Sequence, residues 1–189
     1  MDIKIIAGLV GTALFSMIVI ALYNQLIRLR YGVRNAWSDI DVLLKKRHEL
    51  VPNLVETVKG YATHEQETLI KVTQTRSAAI AARSPAEKAH MENKFGEVLK
   101  NLFALAEAYP DLKANVHFKD LMTHLKEIED NIEHARRFYN AAVNRYNVAT
   151  AVFPTNILAS AFSFKEEEFF ALAEDSPARQ PAQVDFQSR

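Results

Sequence analysis

The side chains able to do chemistry here are six histidines and twenty-three acidic residues, with no cysteine at all. Lack of cysteine removes disulfides, thiolate nucleophiles, cysteine zinc sites and iron–sulfur clusters together. The run His64-Glu65-Gln66-Glu67-Thr68 starts like a zincin helix. Thr68, however, stands where the second histidine ligand must come one turn on. Glu87-x-x-His90 has the spacing of a di-metal bundle site, which needs a second such pair and two further glutamates on facing helices. The nearest approach is Asn131-x-x-His134, and an amide bridges metals poorly. Glu87 and His90 also fall beside the apolar stripe of their helix. Asp120 with His124, and Asp130 with His134, share a helical face, where pairs at this spacing are common and weak. No nucleophile accompanies them. The expectation is a non-enzyme with no catalytic residue, no metal and no cofactor.

Lysine plus arginine number 23 and so do aspartate plus glutamate, a formal net charge of zero. Such a chain has no overall field to hold nucleic acid by counterion release. Five glycines and six prolines are too few for the closely spaced turns of a sandwich or barrel. At 189 residues and 49% hydrophobic content, one all-α domain with an appendage is expected.

Residues 5–22, IIAGLVGTALFSMIVIAL, carry no charge. At about 1.5 Å per residue they span roughly 27 Å, close to the hydrocarbon core of a bilayer. Tyr23 suits the headgroup level. A cleaved leader is the rival reading, but its apolar stretch is usually shorter and ends in a small-x-small site, whereas Leu22-Tyr23-Asn24-Gln25 follows here. Lys4 on one flank faces Arg28, Arg30, Arg34, Lys45, Lys46 and Arg47 on the other. The positive-inside bias therefore predicts a single pass through the plasma (inner) membrane, with a short N-terminus outside and the C-terminal domain cytoplasmic. Arg28, Arg30 and Arg34 also lie within reach of anionic headgroups. Gly8, Thr12 and Ser16 recur every four residues and offer a close-contact face to another membrane helix, hence to a homo-oligomer.

Beyond the anchor, Leu26, Val33, Ile40, Leu54 and Tyr61 form one heptad row, with Leu29, Ala36, Leu43 and Leu50 beside it and Trp37, Leu44, Val51 and Val58 on the other side. Three positions in seven make the stripe of a bundle helix. Two breaks compete. Pro52 disfavours helix at Val51 and gives better-matched helix lengths, so it is the favoured reversal; Gly60 followed by a Thr63–Gln66 capping box is the other. A second helix then runs to about Ala82, and Ser84-Pro85-Ala86-Glu87 restarts a third. The third carries Met91, Phe95, Val98, Leu102, Leu105 and Tyr109 in steps of four and three. The fourth holds Phe118, Leu121, Leu125, Ile128, Ile132, Ala135, Tyr139, Ala142, Tyr146, Ala149 and Phe153 in one stripe ending at Pro154. Short connections predict an up-and-down bundle of four long antiparallel helices. The division expected is an anchor over 1–23, a helical bundle over 24–154, a short amphipathic piece over 155–174 and a polar tail over 175–189. Phe162, Phe164, Phe169 and Phe170 are the apolar anchors of the third part, and Ser163-x-x-Glu166 is a candidate cap. The tail is expected to be disordered until bound.

Three polar features break the pattern. Arg47 occupies the row of Ile40 and Leu54, so it either snorkels to the bundle end or pairs with a carboxylate from a facing helix, or else meets a partner or headgroup; internal pairing is favoured. Asn140 and Asn147 sit seven residues apart beside Tyr139 and Tyr146, a polar ladder that fixes register or forms a recognition strip. In the tail, Pro181, Val184 and Phe186 form an apolar–acidic segment of the kind that docks into grooves.

The run from Asn35 to Arg47, containing Trp37 and Asp41, and the run from Leu50 to Tyr61, containing Pro52 and Asn53, together resemble the bacterial LemA family. So do Tyr109-Pro110-Asp111-Leu112-Lys113-Ala114-Asn115, Arg137-x-Tyr139-Asn140-x-x-Val143-x-x-Tyr146-Asn147 and Phe153-Pro154-x-Asn156. The resemblance covers roughly residues 23 to 172. It implies an N-terminal membrane helix, a cytoplasmic helical bundle and no known catalytic residues. It also implies association with membrane proteases of the HtpX type or, among magnetotactic bacteria, with magnetosome organelles. The expected function is a membrane-tethered, non-catalytic interaction or scaffold module whose partners are the bilayer and a membrane protein. The alternatives are an accessory of a membrane protease and a membrane-organelle shaping factor.

Overall fold

The computed structural model describes residues 3–62 and 64–170, and among these it is helical without a strand. Six helices follow in order: α1 (Ile3–Lys59), α2 (Gln66–Ala81), α3 (Pro85–Glu107), α4 (Pro110–Ala114), α5 (Val116–Ala151) and α6 (Thr155–Ala161). The anchor and the first bundle helix are one element, since α1 runs unbroken for 57 residues.

The favoured break at Pro52 is overturned: the helix passes through it and ends at Lys59, before Gly60. The reason is a long-range hydrogen bond. A proline has no N–H, so the carbonyl four residues back, that of His48, loses its helical donor. Arg76 of α2 supplies the replacement, its Nε donating to the His48 carbonyl at 2.8 Å. Helix α2 has Glu65 at its cap position without a side-chain hydrogen bond; Thr63 lies outside the described residues. The restart at Ser84 is as expected. Its hydroxyl accepts from the Glu87 N–H, and the Glu87 carboxylate reaches back to the Arg83 N–H at 2.9 Å.

The chain divides into two compact units. In the first, built from residues 3–47 and 126–169, α1 and α5 run antiparallel. Trp37 and Tyr139 rings lie 5.3 Å apart, Arg47 meets Glu129, and Leu26 clusters with Ala149 and, from α6, Ala159. Each step back along α1 is matched by a step forward along α5. The second unit, residues 48–125 with Phe170, has one apolar core. Val51, Leu54 and Val58 of α1, Leu69, Val72 and Ala79 of α2, Phe95, Leu99 and Leu102 of α3, Leu112 of α4, and Phe118 and Leu125 of α5 all contribute.

The piece after α5 differs from expectation. Helix α6 stops at Ala161, and Ser163, proposed as a cap for further helix, instead adopts a left-handed φ of 56°. Residues 164–170 are non-helical.

Candidate functional site

A polar constellation on the C-terminal half of α5 grips the backbone of the chain that follows α6. The Tyr139 hydroxyl donates to the Glu168 carbonyl at 2.8 Å and the Tyr146 hydroxyl to the Lys165 carbonyl at 2.9 Å. Asn147 grips Glu167 twice, its Nδ2 donating to the carbonyl and its Oδ1 accepting from the N–H, each at 3.0 Å. A segment outside helix or sheet has no ladder to satisfy its backbone, so these side chains do so. Burial pushes the Tyr139 phenol up to about 12, with the Glu167 and Glu168 carboxylates adding to it. Tyr146 is raised by burial too, against an opposing pull from Arg30. Asn140 is half-buried next to this row and makes an interaction of its own.

Arg47 is buried, 2% exposed, and its Nη1 donates to Glu129 Oε1 at 2.7 Å. Trp37 is half-buried against Tyr139, while Asp41 lies on the exposed side of α1 and also has an interaction. Of the three flanking arginines, Arg28 is exposed and Arg34 lies over the Tyr31 ring. Arg30 turns instead toward the non-helical segment, 4.0 Å from Glu167 and over the Phe164 ring. Pro52 and Asn53 are exposed. Pro154 follows a cis peptide bond at the α5–α6 corner.

Every large hydrophobic from Ile3 to Ile20 in the anchor that faces outward does so uncovered, and the apolar window there has none of its residues buried. Gly8 has open space where a side chain would stand, and Thr12 donates to the Gly8 carbonyl at 3.0 Å. Pro181, Val184 and Phe186 lie outside the described residues.

One site was missed. His48 Nε2 lies 2.8 Å from Glu92 Oε1, both side chains nearly fully buried, and the imidazole stacks on Phe95 at 5.3 Å. His48 Nδ1 has no hydrogen-bond partner. A signal for it existed: Glu92 continues the stripe of Phe95, Leu99, Leu102 and Ala106 backward by the same steps, a charge where the core row demands an apolar residue.

The groups singled out for metal or acid–base chemistry do not converge. Glu87 is spent on its cap, and His90, Asp120, His124 and Asp130 are exposed. His134 Nδ1 faces Arg137 at 2.8 Å on the surface of α5. Among the described residues no three His, Asp or Glu side chains gather as metal ligands. An open groove of about 600 Å³ runs between the end of α1 and α2, lined by Val55, Glu56, Lys59, Leu69 and Ile70 among others.

These features define a protein whose described residues are helical without a strand and begin with a long apolar helix. The chain belongs to the LemA family, whose model matches residues 36–186, starting later and ending further on than the motifs alone implied. It is 28% identical over 165 residues to Protein LemA of Metamycoplasma hominis, covering 85% of this chain and 74% of that one. It is 26% identical over 174 residues to Magnetosome protein MamQ 2 of Paramagnetospirillum magneticum, covering 78% of this chain. Magnetosome protein MamQ of Magnetospirillum gryphiswaldense matches to the same extent. The match spans 64% of the length of these magnetosome relatives.

Proposed function

We propose that this chain is a single-pass membrane protein whose body, a four-helix up-and-down bundle, serves as a non-catalytic scaffold on the cytoplasmic face. The observation that carries this is the continuity of α1, since an uncovered apolar span and the core-forming stripe from Leu26 to Val58 are parts of one helix. An uncovered span of that length needs lipid. A leader cut near Tyr23 would sever the helix three residues before the fully buried Leu26, which favours retention of the anchor. The scaffold reading is supported by the use of Tyr139, Tyr146 and Asn147 on the chain's own backbone. Confinement to the membrane raises the effective concentration of neighbouring partners without any new contact.

Alkaline carbonate extraction of native membranes, with mass measurement of the mature N-terminus, tests it. The intact chain is expected in the membrane pellet. Release into the supernatant, or a mature chain starting beyond Tyr23, overturns the reading. The names of the magnetosome relatives favour a second reading, a factor attached to a membrane compartment, which localisation to a discrete internal membrane would select. A membrane protease as the client is the reading in which such a protein is crosslinked to the body in cells.

A further inference from the structure

The corner between α5 and α6 exposes apolar side chains: Phe153 is 78% exposed, Ile157 60%, Phe162 57% and Val152 48%. Isolated exposed hydrophobics are ordinary, but a cluster on one corner marks a contact surface. No charged residue or histidine occurs between Arg145 and Lys165. That is a long uncharged stretch for an exposed turn followed by a short helix.

Its position says what covers it. The Phe162 ring packs edge-on against Tyr23 at 4.9 Å, and Phe164 does so at 5.8 Å. Tyr23 is the first residue after the uncharged span. The register of α1 against α5, set by Arg47 with Glu129, Trp37 with Tyr139 and Leu26 with Ala149, sends the chain that leaves α5 toward the Tyr23 end of α1. Helix α5 ends at Ala151, two residues before Phe153, with its C-terminal end pointing toward the N-terminal part of α1. The headgroup layer is itself about 5–8 Å deep. With Tyr23 at the headgroup level, Phe162 against it and the exposed Phe153 and Ile157 of the same corner would meet the boundary between headgroups and acyl chains.

We propose that the α5–α6 corner is a second membrane contact, a lipid-inserting wedge in which Phe153, Ile157 and Phe162 enter the interface beside the transmembrane helix. This inference rests on α1 spanning the bilayer. A single helix leaves a body free to tilt and swivel; a second insertion point alongside it fixes one face toward the lipid. Aromatic and branched apolar side chains are the residue types that gain most from this boundary.

The absence of cysteine makes the test direct. Full-length protein carrying one environment-sensitive fluorophore at Phe15→Cys, Phe153→Cys, Ile157→Cys or Phe138→Cys is reconstituted into phosphatidylcholine–phosphatidylglycerol vesicles. Quenching by brominated acyl chains and by aqueous iodide is then compared. Labels at 153 and 157 are expected to be quenched by brominated lipid at least about two-fold more strongly than the label at 138, which lies ten residues before α5 Val148 on the exposed side, and to resist iodide. Strong lipid quenching at 15 with iodide quenching at 153 and 157 overturns the wedge and leaves the span standing. Labels at 153 and 157 shielded from both quenchers overturn it in favour of a protein cover. Absence of lipid quenching at 15 removes the span and the wedge together.

Discussion

The two units of this protein bury charge and build walls differently. In unit 2 nearly all the core residues come from helices, the core is apolar, and the exception, His48–Glu92, is sealed with side-chain exposures of 9% and 2%. In unit 1 two long helices and α6 leave a side that residues 164–169 fill without being helical, and the interior of that side is lined with hydroxyls and an amide. Its ion pair is open at one end: Arg47 is 3% exposed in its side chain, Glu129 36%. A helix packed on helices can be greasy throughout, because each neighbour satisfies its own backbone. A helix packed on irregular chain must supply the partners that chain lacks. Polar residues inside an apolar stripe, as at Tyr139, Tyr146 and Asn147, thus report the kind of neighbour.

The largest effect is expected at the sealed pair. Glu92→Leu leaves a buried imidazole with neither nitrogen partnered, a loss of about 3 kcal/mol, or roughly 6–12 °C in Tm for a chain of this size. Replacing His48 with leucine as well should restore part of it, since the imidazole is then no longer stranded. Thermal unfolding of the full chain in detergent micelles measures both. A double variant no more stable than Glu92→Leu would mean that the pair itself contributes the stability.

Asn147→Ala tests the polar wall of unit 1. It removes the partners of two backbone groups of Glu167, whose residue is only half-buried, so water replaces part of the loss; about 2 kcal/mol is expected. Hydrogen exchange at the Glu167 amide should accelerate while amides in the core of α3 stay protected. Equal acceleration in both places would show that the segment and unit 2 open together.

A smaller effect, about 1 kcal/mol, is expected for Arg76→Met, which orphans the His48 carbonyl. In a Pro52→Ala background the alanine N–H takes over that carbonyl, so Arg76→Met should cost almost nothing there. Additive losses in this double-mutant cycle would refute the compensation.

That same contact shows where the sequence stops being legible. The stripes of α1, α3 and α5 were readable because their apolar residues recur at helical spacing and every one of the long stripes is local. Pro52 misled because its rescue comes from Arg76, twenty-four positions on, and no pattern near Pro52 announces it. Arg47 was visible as a charge in a core row; Glu92 carried the same mark, but Met91 beside it fits the stripe almost as well and hid it. The ladder of Asn147 with the tyrosines was legible as polar and structural, while its acceptors, backbone groups of residues 165–168, have no side-chain identity to read. The corner at Phe153 was read as the last turn of the core stripe, and its 78% exposure follows from α5 ending at Ala151.

Arg47→Met sharpens the contrast between the two ion pairs. Its ion-pair partner, Glu129, already reaches water, so that charge is rehydrated and the methionine fills the buried volume. A loss of about 1 kcal/mol or less is expected. A loss as large as that of Glu92→Leu would show that Glu129 is held as tightly as a buried charge and would erase the distinction.

The smallest effect is absent at neutral pH. An exposed tyrosine ionises near 10.0, whereas burial of Tyr139, aided by Glu167 and Glu168, pushes it up to about 12. Below pH 10 both the folded and unfolded chains keep the proton, so this group adds nothing to the slope of stability with pH. Between the two values the unfolded chain releases the proton and the folded chain retains it, so stability falls as pH rises. Burial raises Tyr146 as well, which makes the slope difference between the native chain and Tyr139→Phe the informative quantity. The phenylalanine variant should start lower, having lost the bond to the Glu168 carbonyl, and fall less steeply above pH 10. Parallel slopes would mean that the phenol meets water in the folded state, and that the polar wall of unit 1 is as open to solvent as its ion pair.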